Sequence, residues 1–124
     1  MSEAVLEFEV PGRAPATSSP NARINWRVKF AEGREFGALV QVLAQLAGTG
    51  AGPYTRAHVT VTQRAMRLRD HDNFIASFKP GLDAIVRAGI ILDDNPGCID
   101  LTIRAEKVAH RADESVRVRV ERTG

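Results

Sequence analysis

Two acidic clusters with a lysine between them are the residues of this chain most able to do chemistry. Asp70 and Asp72 form the first cluster, Asp93 and Asp94 form the second, and Lys79 lies between them. If folding brings the clusters together, their carboxylate oxygens could bind a hard divalent cation. The spacing therefore predicts a cation site built from residues that are distant in the chain.

Arginines provide a second chemical signal. Arg64, Arg67 and Arg69 lead into the first acidic cluster, and Arg117 and Arg119 share one face of a predicted strand near residue 118. Arginines beside a metal site suggest an anionic substrate, for which a phosphodiester is the obvious candidate. Because the net charge is only +2, a nucleic-acid binder must concentrate its basic groups on one surface. For the last strand, an ordinary solvated face is an equally good interpretation.

Each acidic cluster also has an interpretation that needs no ligand. Asp72 could cap a helix that starts nearby, because an aspartate at that position accepts from a free backbone amide. The residues 93–97 have a composition typical of a polar turn. Lys79 could pair with Asp83, four residues along the same helix, in a weak surface ion pair. The order and spacing of the three elements together favour the cation site.

That order resembles the RusA-type Holliday junction resolvase family. The matching segments are Arg69-Asp70-His71-Asp72-Asn73, Lys79, Leu82-Asp83-Ala84-Ile85 and Ala88-Gly89-Ile90-Ile91-Leu92-Asp93-Asp94. The close similarity covers about residues 67–100. A looser similarity near the start of the chain, in residues 20–26, resembles the family's Asn-x-Arg-x-x-Trp pattern and includes Asn21 and Arg23.

The resemblance implies a magnesium-dependent endonuclease, with Mn²⁺ able to substitute, that resolves four-way or branched DNA during recombination and repair. By position, Asp70, Asp72 and Asp94 would bind the metal and Lys79 would assist catalysis. In the best-known members the lysine follows the second aspartate by four residues, whereas Lys79 follows Asp72 by seven. The alternative function is a non-catalytic protein that binds branched DNA on the same scaffold.

Further roles follow from the same comparison of positions. Asn73 and Asp93 are expected to hold the metal ligands in position without binding the metal themselves. Asn21 and Arg23 are expected to contact DNA, together with the arginines named above. Paired cuts on a junction with two-fold symmetry imply a homodimer, for which the first helix and the last strand are candidate interfaces. The family also suggests a phage or prophage origin.

The positions of the helices and strands follow from the spacing of apolar residues. Period-two alternation predicts strands at residues 4–10, 56–66, 99–104 and 115–121, and helical spacing predicts helices at 28–47 and 73–88. A kink or restart is expected at Pro80. Residues 11–25 are expected to form an irregular loop and 48–55 a flexible connector. The prediction is an α+β domain with a mixed four-stranded sheet and two helices packed on it, in the order β-α-β-α-β-β.

Bulk properties bound the class of protein. The 124 residues are long enough for one domain spanning 1–124, and a hydrophobic content of 44% is enough for a single core. No apolar run is long enough for a membrane helix and no leader pattern is present, so the expected location is the cytoplasm, without membrane association. The single cysteine excludes an internal disulfide.

Overall fold

The strands and helices follow the predicted order along the chain. The computed structural model describes residues 5–15, 26–48 and 52–123. Its elements are β1 (Val5–Pro11), α1 (Trp26–Ala47), β2 (Ala57–Ala65), α2 (His71–Arg87), β3 (Ile99–Lys107), a short 3₁₀ turn (Arg111–Asp113) and β4 (Ser115–Arg122). The α+β class and the element order are confirmed. Element ends agree with the predictions to within two residues, except that β3 continues three residues further.

The four strands form one mixed sheet in the order β1-β4-β2-β3. The last strand, β4, lies between β1 and β2 and runs antiparallel to both. In contrast, β2 and β3 are parallel, with Thr62 opposite Arg104. Parallel neighbours need a long crossover connection, and α2 provides it. The segment that carries the acidic clusters is therefore this crossover.

One face of the sheet is covered by both helices, and no other described element covers the opposite face. Alternate residues of each strand point to opposite faces, so Val59 and Val61 are buried while Thr60 and Thr62 face the other side. The helices contribute apolar side chains to the same core, which also contains strand residues: Phe36, Val40, Ala44, Phe74, Phe78, Leu82 and Ile85, with Leu6, Val10, Val116, Val118 and Val120. We call the uncovered face the open face.

The two helices pack closely where α1 lacks side chains. A Cβ on Gly33 would lie 3.5 Å from Pro80 Cγ, and one on Gly37 would lie 3.2 Å from the carbonyl oxygen of Pro80. Next to this approach, the rings of Phe36 and Phe78 meet edge to face, with centroids 5.9 Å apart. The helix α2 continues from residue 71 to 87 through Pro80, so the predicted restart does not occur.

The predicted loops are only partly described. Pro11 belongs to β1, residues 12–15 have no regular structure, and the remainder of the expected 11–25 loop lies outside the described residues. The prediction of a flexible connector at 48–55 is wrong at its end. Tyr54 is buried and forms a parallel bridge with Ile91, with its amide donating to the carbonyl of Ile90 at 2.8 Å. Neither of the two described helices is long and apolar enough to cross a membrane.

Candidate metal and phosphate site at helix α2

Asp70 caps the N-terminus of α2. Its backbone is extended (φ −65°, ψ 165°), and its carboxylate accepts from the Asn73 backbone amide at 2.9 Å and from the Asn73 side-chain amide at 3.0 Å. This satisfies one of the amides left without a partner at a helix start. The predicted alternative of a cap at Asp72 is therefore wrong by two residues. Asn73 thus donates two hydrogen bonds to Asp70, and its support of a metal ligand stays a prediction.

Asp72 lies inside the first turn of α2 and is exposed. Its carboxylate has no hydrogen bond or ion pair within the part of the chain that the structure describes, and a negative charge there interacts favourably with the helix dipole. In an extended segment, side chains two residues apart point the same way, as a shared metal site for Asp70 and Asp72 would need. Here residues 71 and 72 are helical, and positions two apart on a helix point about 200° apart, so the two carboxylates diverge.

A buried glutamine that the sequence analysis did not select holds the loop before Asp70. Gln63, at 4% exposure, accepts from the Arg69 amide at 3.0 Å and donates to the Arg69 carbonyl at 2.8 Å. Both ends of its amide are thus used on one residue, which fixes the backbone that leads to the cap. The available signal was a polar side chain at a core-facing position of β2, in line with Val59 and Val61.

Lys79 connects the helix to the second acidic cluster. Its ammonium donates to Asp94 Oδ2 and, at 3.0 Å, to Asp83 Oδ1. The hydrogen bond to Asp94, followed by the one to Asp83, raises the pKa of Lys79 above its ordinary value. The Asp94 side chain is 20% exposed and that of Lys79 is 55% exposed, so the pair lies at the surface. The expected pair with Asp83 is present, but it accompanies the contact with Asp94.

The second acidic cluster is a tight polar turn. Asp93 accepts from the Asp94 backbone amide at 2.7 Å and from the Asn95 side chain at 2.9 Å, while Asn95 accepts from the Gly97 amide at 2.8 Å. The Asp94 amide is the main cause of a lowered pKa at Asp93. The turn interpretation is thus correct for the backbone, and the support of a metal ligand by Asp93 stays a prediction. The turn also directs the Asp94 carboxylate to Lys79.

The donors fit magnesium in type but are not gathered around one point. Carboxylate oxygens are the ligands that Mg²⁺ prefers. However, seven residues of helix separate Asp72 from Lys79, which is about 10.5 Å along the axis. Within residues 5–15, 26–48 and 52–123, no three His, Cys, Asp or Glu side chains are grouped so that they could hold a metal ion. The cation in contact with Asp94 is the ammonium of Lys79.

The three arginines before the cap differ in what they can reach. Arg64 is 18% exposed and bonds Glu9 and Glu106, each at 3.3 Å, so its guanidinium is held on the open face. Burial, followed by the nearby charge of Arg13, lowers the pKa of Arg69. Arg67 is exposed, and among the described residues its one hydrogen bond is through its carbonyl, which accepts from Arg13 Nη2 at 2.7 Å. Arg67 is therefore the best placed of the three to contact an approaching anion.

The arginines of β4 lie on the open face in ion pairs. Arg117 bonds Glu9 at 3.0 Å, and Arg119 bonds Glu7 at 3.3 Å and Glu121 at 3.1 Å. The hydroxyl of Ser115 and the guanidinium of Arg117 lower the pKa of Glu9. These pairs neutralise much of the charge on this strand, as the solvated-face interpretation expects. Binding of DNA by Arg117 and Arg119 stays a prediction.

Two predicted contacts cannot be placed in the structure. Asn21 and Arg23 lie outside the described residues.

No family model matches this chain, and no curated protein matches it either. The resemblance to the RusA-type resolvases therefore stays a prediction based on the motif residues alone. Of these, Asp70 caps α2, Asp72 and Lys79 lie within it, and Asp94 contacts Lys79.

Proposed function

We propose that this chain is a magnesium-dependent endodeoxyribonuclease of the RusA type, which resolves four-way and other branched DNA by paired phosphodiester cuts. The observation that carries the proposal is the contact between Lys79 and Asp94, fifteen residues apart in the sequence. This contact brings a residue of each motif to the same place on the surface, which a shared reaction site needs. The sequence order of both motifs is the order in the resolvase family.

In this proposal Asp70, Asp72 and Asp94 would be the carboxylates that hold Mg²⁺, or Mn²⁺ in its place. A metal bound there would lower the pKa of a water molecule and offset charge on the phosphate. Lys79 would act as a charged donor to the phosphate rather than as a base, because a lysine ammonium beside the carboxylate of Asp83 is protonated at neutral pH. Arg67 is the nearby exposed cation that orients the phosphate backbone.

The proposed active form is a homodimer, since a four-way junction needs two matched cuts. An apolar stripe on α1 supports this helix as the interface. Leu39, Val42 and Leu46 are 41%, 52% and 74% exposed, and their spacing puts them on neighbouring parts of one helix side. A group of exposed apolar side chains on one side of a helix is typical of a surface that contacts another protein. We place this activity in the cytoplasm, in recombination and repair of cellular or phage DNA.

A second candidate is a DNA-binding protein that does not cut. Two observations favour it: Asp94 already bonds an ammonium, and no group of three potential metal ligands lies within the described ranges. In that case Asp70 is a helix cap and Lys79 is a phosphate contact. The binding surface and the preference for branched DNA would be retained.

One experiment separates the two candidates. Synthetic four-way junctions are incubated with the protein, with and without Mg²⁺, beside a linear duplex of the same base composition. Symmetrically paired nicks on the junction alone, dependent on Mg²⁺, are the result expected of a resolvase. Retarded but intact junction DNA would support the non-catalytic protein. If neither DNA is bound or cut, both candidates are wrong.

The role of Lys79 has its own control. Lys79→Arg keeps a positive charge, whereas Lys79→Met removes it at similar volume. Cleavage is expected to persist in part with arginine and to be lost with methionine, while junction binding is retained by both. Equal cleavage by the two variants would show that charge at this position does not take part in the reaction.

A further inference from the structure

The loop that joins β2 to α2 is held in place by side chains from other parts of the chain. It comprises residues 66–69, which belong to no helix or strand. Gln63 bonds both polar groups of the Arg69 backbone, whose amide donates at 3.0 Å and whose carbonyl accepts at 2.8 Å. The next residue is Asp70, the cap of α2. The loop is therefore fixed at the residue that directly precedes the candidate site.

Two further side chains hold the other end of the loop. The Met66 amide donates to Glu114 Oε2 at 3.0 Å, and the Arg67 carbonyl accepts from Arg13 Nη2 at 2.7 Å. Both of these contacts are exposed, so water can replace them at little cost. Gln63 is only 4% exposed, so its two bonds have no such replacement. The hold on the loop thus depends most on Gln63.

The burial of Gln63 is explained by the loop that it holds. A buried amide costs free energy unless its donor and its acceptor are both bonded, and an apolar residue at this core-facing position of β2 would avoid that cost. The other buried polar side chains of the described residues are Ser77, which bonds within its own helix, and Ser115, which bonds Glu9 on the open face. Among these three, only Gln63 is directed to the loop before the candidate site.

We propose that Gln63 is a positioning residue of the candidate site. It holds the 66–69 loop in one conformation, so that the side chain of Arg67 and the carboxylate of Asp70 keep a fixed relation to each other. The reaction that this serves rests on the proposed function, whereas the hold on the loop does not. Gln63 acts through the backbone of Arg69, and a group misplaced by about 1 Å can lower a rate about 10²-fold.

Amide hydrogen exchange measures the hold on the loop without any activity. In the wild type, the Arg69 amide is expected to be protected although its loop is irregular. If it exchanges at the rate of an unprotected amide, the inference is overturned, and this result needs no variant to fold.

Gln63→Met removes both hydrogen bonds at similar volume. In this variant the amides of Arg69 and Asn73 are expected to exchange about tenfold faster relative to the amide of Val118, as for the loss of one hydrogen bond. Val118 pairs with strands on both sides and so reports global unfolding. Equal acceleration at all three amides would mean that Gln63 contributes to global stability alone, which overturns the inference.

Val61→Ala is the matched control for activity. Val61 lies two residues before Gln63 on the same face of β2 and is fully buried, so its truncation lowers global stability while the bonds to the loop remain. Four-way junctions are cleaved in Mg²⁺ at a temperature where circular dichroism shows both variants folded. Gln63→Met is expected to lower kcat by about 10²-fold and to raise KM by less, whereas Val61→Ala keeps the wild-type kcat. Equal kcat values for the two variants would overturn the inference.

The outcomes separate this inference from the proposed function. If the wild type never cuts junctions, the nuclease function is wrong, and junction binding in EDTA then decides. A slope of log K against log salt that falls by about 0.9 in Gln63→Met, the value for one phosphate contact, supports the positioning of Arg67, and an unchanged slope overturns it. A wild type that neither cuts nor binds DNA overturns both proposals.

Discussion

The sharpest perturbation of the candidate site is at Asp70, because its structural role and its proposed chemical role respond differently to the same change. Its carboxylate accepts from the Asn73 amide at 2.9 Å as the N-cap of α2. Asparagine caps helices about as well as aspartate, whereas alanine does not. Asp70→Asn therefore removes the negative charge but keeps the cap, and Asp70→Ala removes both.

The expected loss of stability can be worked out from these contacts. Losing the cap costs about 1 kcal/mol. Losing a negative charge at a helix N-terminus costs about 0.3–1 kcal/mol more. Asp70→Ala is thus expected to lower the free energy of unfolding by about 1.3–2 kcal/mol, and Asp70→Asn by about 0.3–1 kcal/mol. The bond from the Asn73 side chain at 3.0 Å is lost in both, but that group is exposed and water replaces the carboxylate.

Two assays on the same proteins decide the matter. Urea denaturation gives the free energies of unfolding, and junction cleavage in Mg²⁺ gives the activity. Both variants are expected to lose cleavage and keep junction binding, since the loss of a carboxylate weakens metal binding and reduces repulsion of phosphate. Wild-type cleavage by Asp70→Asn would refute the metal role. Equal destabilisation by the two variants would refute the cap.

Three further perturbations test packing and charge. Gly33→Ala is expected to raise the free energy of unfolding, measured by urea denaturation, by about 0.5–1 kcal/mol. The reason is that alanine favours the helix and its Cβ would lie at an ordinary 3.5 Å from Pro80. A destabilised variant would contradict the packing described. Ile85→Ala should lower the same quantity by about 2–5 kcal/mol, since Ile85 is fully buried, and a loss below 1 kcal/mol would mean that the core there is loose. The pKa of Glu9 is lowered in the folded state, first by the Ser115 hydroxyl, so its contribution to stability is present above its unfolded pKa of about 4.3 and is lost as the pH falls through the folded value. Glu9→Gln should therefore flatten the pH dependence of stability below about pH 4.3, and an unchanged acid profile would exclude this group.

Local periodicity was enough to predict the elements and their buried faces. Val116, Val118 and Val120 alternate with charged residues in β4, and all three are buried as the alternation requires. Phe74 and Phe78 lie four residues apart and share the core side of α2. These features depend on neighbours within a few residues, so the chain itself specifies them. The same holds for the polar turn of Asp93.

The capping residue shows the limit of a local pattern. Asp70 and Asp72 are both acceptable caps by residue type, and Gln63 favours Asp70 because its amide binds the backbone of Arg69, the residue just before it. This contact joins a strand to a loop across the core edge. Helix propensity near residue 72 contains no information about it, so the predicted cap was placed two residues late.

The sequence alone therefore determined which residues form each element, which faces are apolar, and which side chains are candidates for the proposed reaction. Only the tertiary structure decided that β4 lies between β1 and β2. It also decided that Arg64 forms ion pairs with Glu9 and Glu106, and that Lys79 bonds Asp94. The physical reason is the distance along the sequence over which each effect acts. Backbone periodicity involves residues within one helical turn or two neighbouring positions of a strand. A contact between charges depends on where the packed core puts two distant segments.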